Sequence, residues 1–176
     1  NESEQDSLDQ LTGFTSSTVS MDDLKLADVI VVMNSNLSEE NLVMELKIKE
    51  AQKRGAKIIL INSSEIKLTK CADLWIDSRK GTNTYLLDAI NKKILESGFT
   101  DKKFVNERTE NFDVLKQSLA AVDESNAINY SGIDEQKFEA FLSLMKDDSS
   151  NIIFINNIDS KADKSANELK AAFNFR

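Results

Sequence analysis

Two unbroken apolar runs, Val29–Met33 and Ile58–Ile61, interrupt a chain that elsewhere mixes apolar and polar residues closely. Runs without polar alternation suit strands buried on both faces of a parallel sheet. Between them the period is helical. Met44, Ile48 and Ala51 recur on one side, Leu42 and Leu46 form a second apolar pair, and Glu45, Lys49 and Lys53 take another side. Ser38 is the expected N-cap, and Glu39 and Glu40 place negative charge in the first turn, where the helix dipole favours it. Gly55, after Lys53 and Arg54, is the expected stop. Strand, helix and strand in this order read as a parallel βαβ unit with a right-handed crossover.

The same reading extends along the chain. Asp6–Leu11 predicts a short helical turn. Gly13–Ser20, GFTSSTVS, reads as a surface loop, or as a loop lying over a ligand. Met21–Leu26 predicts a short helix capped by Ser20. Cys71–Ile76 predicts a third strand, with Cys71 and Trp75 as core residues. A helix capped by Thr82 or Asn83 carries Leu86, Leu87, Ile90, Ile94 and Leu95 and ends at Gly98. Thr100–Glu107 predicts a short helix with Phe104 and Val105. Another starts at Thr109, with Phe112, Leu115, Leu119 and Val122. Ala127–Gly132 reads as a link. Asp134–Lys146 is strongly amphipathic, with Phe138, Phe141, Leu142 and Met145 on one face. Asn151–Asn156 is a further buried strand, and Ser160–Phe173 a closing helix. No linker interrupts the series. Residues 1–176 therefore read as one α/β domain: three-layer, Rossmann-like, with a mainly parallel sheet and extra helices.

Ligands of parallel sheets bind beyond the carboxyl ends of the strands. Those ends are Asn34-Ser35-Asn36 and Asn62-Ser63-Ser64, all small, polar and uncharged. Gly81, before the next helix, is a turn glycine or a point of close approach to an anion. Composition narrows the chemistry further. With no histidine and one cysteine, common hydrolase triads and cysteine-built metal sites are excluded within this chain. A net charge of -8 argues against general nucleic-acid binding. No apolar run approaches the roughly 20 residues of a membrane helix, and Asn1–Gln10 is polar and acidic, unlike a secretory signal. The predicted location is cytoplasmic or peripheral to a membrane complex. Asp28 opens a strand and Glu39 and Glu40 lie in a helix's first turn, so all three read as solvated or capping groups rather than acid–base catalysts.

The order of parts resembles the molybdopterin oxidoreductase superfamily. More narrowly, it is similar to formate dehydrogenase alpha subunits and to the G subunit of NADH:quinone oxidoreductase. The resemblance is carried by DDLKLADVIVVMNSN and then by KEAQKRGAKIILINSSEIKLTKCADLWIDSRKGTNTYLLDAINKKILESGFTDKKFVNERTENFDVLK. It covers about Gly13 to Leu119 and weakens from Ala120 onward. The resemblance implies an α/β fold with a molybdopterin guanine dinucleotide lying across the strand ends. Asn34, Ser35, Asn36, Asn62, Ser63, Gly81, Thr82 and Asn83 occupy the positions of the family's cofactor loops. Three of those loops depart from the family pattern. The Gly-x-Asn-Pro loop is Asn34-Ser35-Asn36-Leu37, the Asp-Pro-Arg loop is Asn62-Ser63-Ser64, and Asn83 replaces an acid after Gly81 and Thr82.

Two functions follow from the resemblance. One is a pterin-dinucleotide-binding domain of a larger redox enzyme. The other is a domain that has lost the cofactor and organises an electron-transfer complex. A third, independent reading is a small nucleotide- or effector-binding module. The family's iron–sulfur cysteine motif and its cysteine or selenocysteine metal ligand are absent from this chain. It is therefore expected to be a fragment of a larger oxidoreductase subunit, inactive alone and without tightly bound cofactor. Its expected partners are the remaining domains and other electron-transfer subunits.

Overall fold

In the computed structural model, which describes residues 19–98, 100, 102–145 and 151–156, the strand β1 (Val29–Met33) is buried along its whole length. The reason is its place in the sheet. β2 (Lys57–Ile61) pairs with it on one side and β4 (Ile152–Asn156) on the other, while β3 (Leu74–Ile76) lies outside β2. The order is β3-β2-β1-β4 and every pairing is parallel. Val29 stands opposite Lys57 in β2 and Ile152 in β4. The parallel neighbours expected for the two apolar runs are thus observed.

Alternate side chains of β1 supply two cores. Val29, Val31 and Met33 join Ile59, Ile61 and Ile76 on one face. That face packs against α3 (Asn83–Ser97), α6 (Glu124–Ser131) and α7 (Glu135–Met145) through Leu86, Leu87, Ile90, Ile128, Phe138 and Phe141. Ile30 and Val32 point the other way, with Ile58 and Leu60, onto Ile48 and Ala51 of α2 (Leu42–Lys53). Helices cover both faces, which is why neither apolar run alternates. Between these layers α1 (Leu37–Glu40) is a single turn, and α4 (Lys102–Arg108) and α5 (Phe112–Ala120) extend the helical side.

Several expectations are corrected. Ser38 does not cap the main helix. The chain breaks at Asn41, whose non-helical backbone separates α1 from α2 and whose side chain accepts the Met44 N–H at 3.0 Å. The expected stripe of Met44, Ile48 and Ala51 faces the core. Glu45 turns inward, 2% exposed, and Leu42 and Leu46 turn outward. Ser38 donates to the Glu45 carboxylate, as does Lys49. Burial raises the Glu45 pKa, yet the hydrogen bonds from Lys49 and Ser38 outweigh it and hold the group below its usual value.

The third strand is shorter than expected. A 3-10 turn at Lys67–Lys70 precedes it, Cys71 and Trp75 are half-buried, and the chain enters the sheet at Asp73. The expected link at Ala127–Gly132 is mostly helix α6. Asp123 caps it by accepting the Asn126 N–H at 3.1 Å, and Gly132 ends it at φ 74. α5 starts at Phe112 rather than Thr109, and Val122 lies beyond its end. Met21–Leu26 reduces to a 3-10 turn at Asp23–Leu26, with Ser20 and Asp23 exchanging main-chain and side-chain hydrogen bonds. Asp6–Leu11, residues 13–18 and Ser160–Phe173 lie outside the described residues.

Asp73 ties β3 to β2. Its carboxylate accepts the Ile58 N–H and the Lys57 ammonium, each at 2.9 Å. Burial pushes its pKa up, but these bonds prevail and hold it below the usual 3.8. Asp73→Ala is expected to destabilise the domain by about 1–3 kcal/mol near neutral pH. Because the folded pKa is depressed, this stabilisation is complete above the unfolded value and fades as pH falls through the folded one. Urea melts of both proteins from about pH 7 to about pH 3 should show the difference shrinking only at the acid end.

Candidate functional site

Short polar side chains gather at the carboxyl ends of β1, β2 and β3, the place where parallel sheets hold ligands in a crevice. The sheet ladder runs one residue past each strand, with Asn34 N–H bonded to Ile61 O and Asn62 N–H to Ile76 O, both at 3.1 Å. Asn34 then turns left-handed, φ 52, a conformation that asparagine tolerates better than most residues. The turn carries its side chain towards α3. Asn83, the first residue of α3, donates from Nδ2 to Asn34 Oδ1 at 2.7 Å. Ser78, just past β3, donates to Asn83 Oδ1 at 2.7 Å. A hydroxyl and two amides thus bridge β3, α3 and β1.

The other donors at the β1 tip face a carboxylate. Ser35, fully buried, donates its hydroxyl to Glu40 Oε2 at 2.5 Å, and the Asn36 N–H donates to Glu40 Oε1 at 3.1 Å. Glu40 reaches back over its own turn, as an acid in a first helical turn does. Asn36 Oδ1 is buried and accepts no hydrogen bond.

The remaining expected residues are placed apart from this network. Asn62 accepts the Trp75 indole N–H on its main-chain oxygen at 3.1 Å. Ser63 is exposed. Gly81 is exposed with φ 79, and Thr82 donates its hydroxyl to Arg79 O at 2.7 Å, which holds the turn before α3. The crevice therefore brings together Asn34, Ser35, Asn36 and Asn83. Ser78 and the inward role of Glu40 were missed. Ser78 follows a strand end just as Ser35 does, but the expected end of β3 drew attention to Lys80-Gly81 instead.

Next to Ser78, Arg79 leaves the crevice. Its N–H donates to Ser131 O at 2.9 Å, and its side chain lies against Gly132, where an added Cβ would stand 2.8 Å from Nε. Beyond this corner, Lys137 pairs with Asp77 at 2.5 Å and holds that carboxyl below its usual range. Lys137 also lies 5.9 Å from the centre of the Trp75 ring. No group of three or more metal-ligating side chains occurs among the described residues.

A molybdopterin oxidoreductase family model matches residues 4–171. The chain belongs to the molybdopterin oxidoreductase family. It is 32% identical over 119 residues to the F420-dependent formate dehydrogenase subunit alpha of Methanocaldococcus jannaschii, covering 68% of this chain and 18% of that protein. It is 31% identical over 134 residues to the NADPH-Fe(3+) oxidoreductase subunit alpha of Geobacter sulfurreducens, covering 76% of this chain and 16% of that one. Among solved structures, acetylene hydratase from Pelobacter acetylenicus superposes with a TM-score of 0.66 at 25% identity, over 75% of this chain and 18% of that chain. The chain thus spans less than a fifth of these relatives.

At the tip of β1 the donors that a phosphate bridge would use are engaged within the protein. A phosphate bridge requires free N–H groups or cations. At the β1 tip of this family member, Ser35 and the Asn36 N–H are held by an anion already. Asn34 and Asn83 are bonded to each other.

This network yields a stability ordering. Asn34→Ala is expected to cost about 2 kcal/mol, from left-handed strain together with the lost bond to Asn83. Asn34→Gly loses the side-chain bonding without the strain and should cost about half as much. Chemical denaturation of the three proteins reads this directly. Equal losses would mean that the positive φ carries no cost.

Proposed function

We propose that this chain is a molybdopterin-type domain of an electron-transfer subunit, akin to formate dehydrogenase alpha subunits and the G subunit of NADH:quinone oxidoreductase, that works without the dinucleotide. One observation carries the reading: the Glu40 carboxylate on Ser35 and the Asn36 N–H, where a phosphate-bearing ligand would need positive potential. The bridge of Ser78, Asn83 and Asn34 supports it, since each of these crevice side chains has a partner within the protein. The net charge of -8 also disfavours holding a further anion. In this reading the domain contributes no turnover of its own. It serves as an architectural part of a longer subunit, and its partners are the other domains of that subunit and neighbouring electron-transfer subunits. No described helix is long and apolar enough to cross a membrane.

A second reading keeps the dinucleotide in the longer protein. It is favoured by Asn36 Oδ1, a buried acceptor without a donor, which the N–H edge of a guanine or pterin would satisfy. Asn34, Ser35, Asn36, Asn62, Ser63, Gly81, Thr82 and Asn83 would then be the candidate contacts. Pterin-bound metal would supply the redox chemistry when present, and this chain's residues would only position the heterocycle.

Metal and pterin content of the full-length subunit separates the two readings. Purified from its own cells, the subunit is expected to contain iron but neither molybdenum, tungsten nor pterin in stoichiometric amount, and to co-purify with electron-transfer subunits. One pterin dinucleotide per polypeptide would overturn the cofactor-free reading.

A further inference from the structure

The chain contains two Asn-Ser pairs and no Asn-Gly pair. Both Asn-Ser pairs stand at strand tips, Asn34-Ser35 after β1 and Asn62-Ser63 after β2. Asparagine is a thermolabile residue, because the nitrogen of the next residue can attack its carboxamide carbon. A small following side chain leaves that approach open. The two tips differ in what restrains them. Asn34 Oδ1 accepts from Asn83 Nδ2 at 2.7 Å, its backbone is held at φ 52, and Ser35 is 1% exposed. At Asn62 only the main chain is engaged. Its N–H donates to Ile76 O and its oxygen accepts the Trp75 indole N–H, both at 3.1 Å. Among the described residues, neither the Asn62 carboxamide nor the Ser63 N–H has a hydrogen-bond partner. The chain bends at Ser63 and Ser64, and both are exposed, as is Glu65.

We infer that Asn62 is a site of self-modification, which converts its carboxamide to a carboxylate without an enzyme. The Ser63 main-chain nitrogen bonds to Asn62 Cγ and the Cγ–Nδ2 bond breaks. Nδ2 leaves as ammonia, carrying the proton from the Ser63 N–H. The resulting five-membered succinimide then takes up water. Cleavage of the new Cγ–N bond leaves aspartate. Cleavage at the original peptide carbon leaves isoaspartate, with the main chain running through Cβ and Cγ. In either case one water enters and one ammonia departs, and nothing is oxidised or reduced. Both products add a negative charge to a chain already at -8. In isoaspartate the oxygen that accepts the Trp75 indole N–H becomes part of a free carboxylate, and the main chain gains a methylene, so the tip of β2 is reshaped. Asn34 reacts only after its bond to Asn83 opens, which slows it roughly five-fold.

Incubation of the full-length subunit in heavy-oxygen water at mildly alkaline pH tests this. Peptide mapping by mass spectrometry finds one heavy oxygen at each residue converted during the incubation, and electron-transfer fragmentation separates isoaspartate from aspartate. Asn62 is expected to acquire label roughly five-fold faster than Asn34 in the native subunit, and at a similar rate in urea, where the bond to Asn83 is lost. Ser63→Val, at an exposed position, crowds the attacking nitrogen. It should slow labelling at Asn62 several-fold and leave Asn34 unchanged. Equal native rates at the two asparagines, or an unlabelled Asn62, would overturn the inference. So would label at Asn62 that appears only as aspartate or that Ser63→Val leaves unchanged, since direct hydrolysis by water forms no isoaspartate and does not involve Ser63.

Discussion

The structure depends on one strand being enclosed on four sides. β1 has a parallel partner at each edge and a helical layer over each face, so its five residues meet only protein. A strand in that position must be apolar throughout, and its polar backbone must be paired throughout. Everything polar is pushed to its ends. At the carboxyl end the chain leaves the sheet through Asn34 in a left-handed turn, and the crevice begins there.

That exit shapes the chemistry of the crevice. In the oxidoreductases of this family an organic cofactor supplies the reactivity, so the protein's contribution is binding and electrostatics. In this chain the tip of β1 carries amides and a hydroxyl, and the protein satisfies most of them itself, Asn36 Oδ1 excepted. Glu40 takes two donors, and the amide of Asn34 is spent on Asn83. Polar groups bonded to one another in this way are rigid and specific in shape.

The parts legible in the sequence were those whose pattern reports burial directly. The runs at Val29–Met33 and Ile58–Ile61 and the stripe of Phe138, Phe141, Leu142 and Met145 announce themselves because their surroundings are uniformly apolar, whereas Asn151–Asn156, expected as a buried strand, lies at the sheet edge with only Ile153 buried among its described residues. α6 was hidden because ESNAINYS buries only Ala127, Ile128 and Ser131, and its polar residues read as a loop. The expected face of α2, with Met44, Ile48 and Ala51, does meet the core; the burial of Glu45 beside it was hidden because its partners Ser38 and Lys49 are brought to it only by the fold. Of the crevice, the strand tips were legible as a location. Their partners were not: Ser78 lies five positions from Asn83 and 44 from Asn34 in a chain where only the fold brings them together. The bond between Asn34 and Asn83 spans 49 positions.

The pairing of β1 with β4 also bears on how the chain comes together during synthesis. Asp28 and Asn151, which join the starts of the two strands, are 123 positions apart. Closing so long a loop is slow compared with forming the nearby β1-β2-β3 half. A nascent chain therefore carries the bare margin of its most apolar strand until β4 has left the ribosome. That margin has neither proline nor charge to deter a stray strand, which makes this interval the stage at which the protein most needs a chaperone.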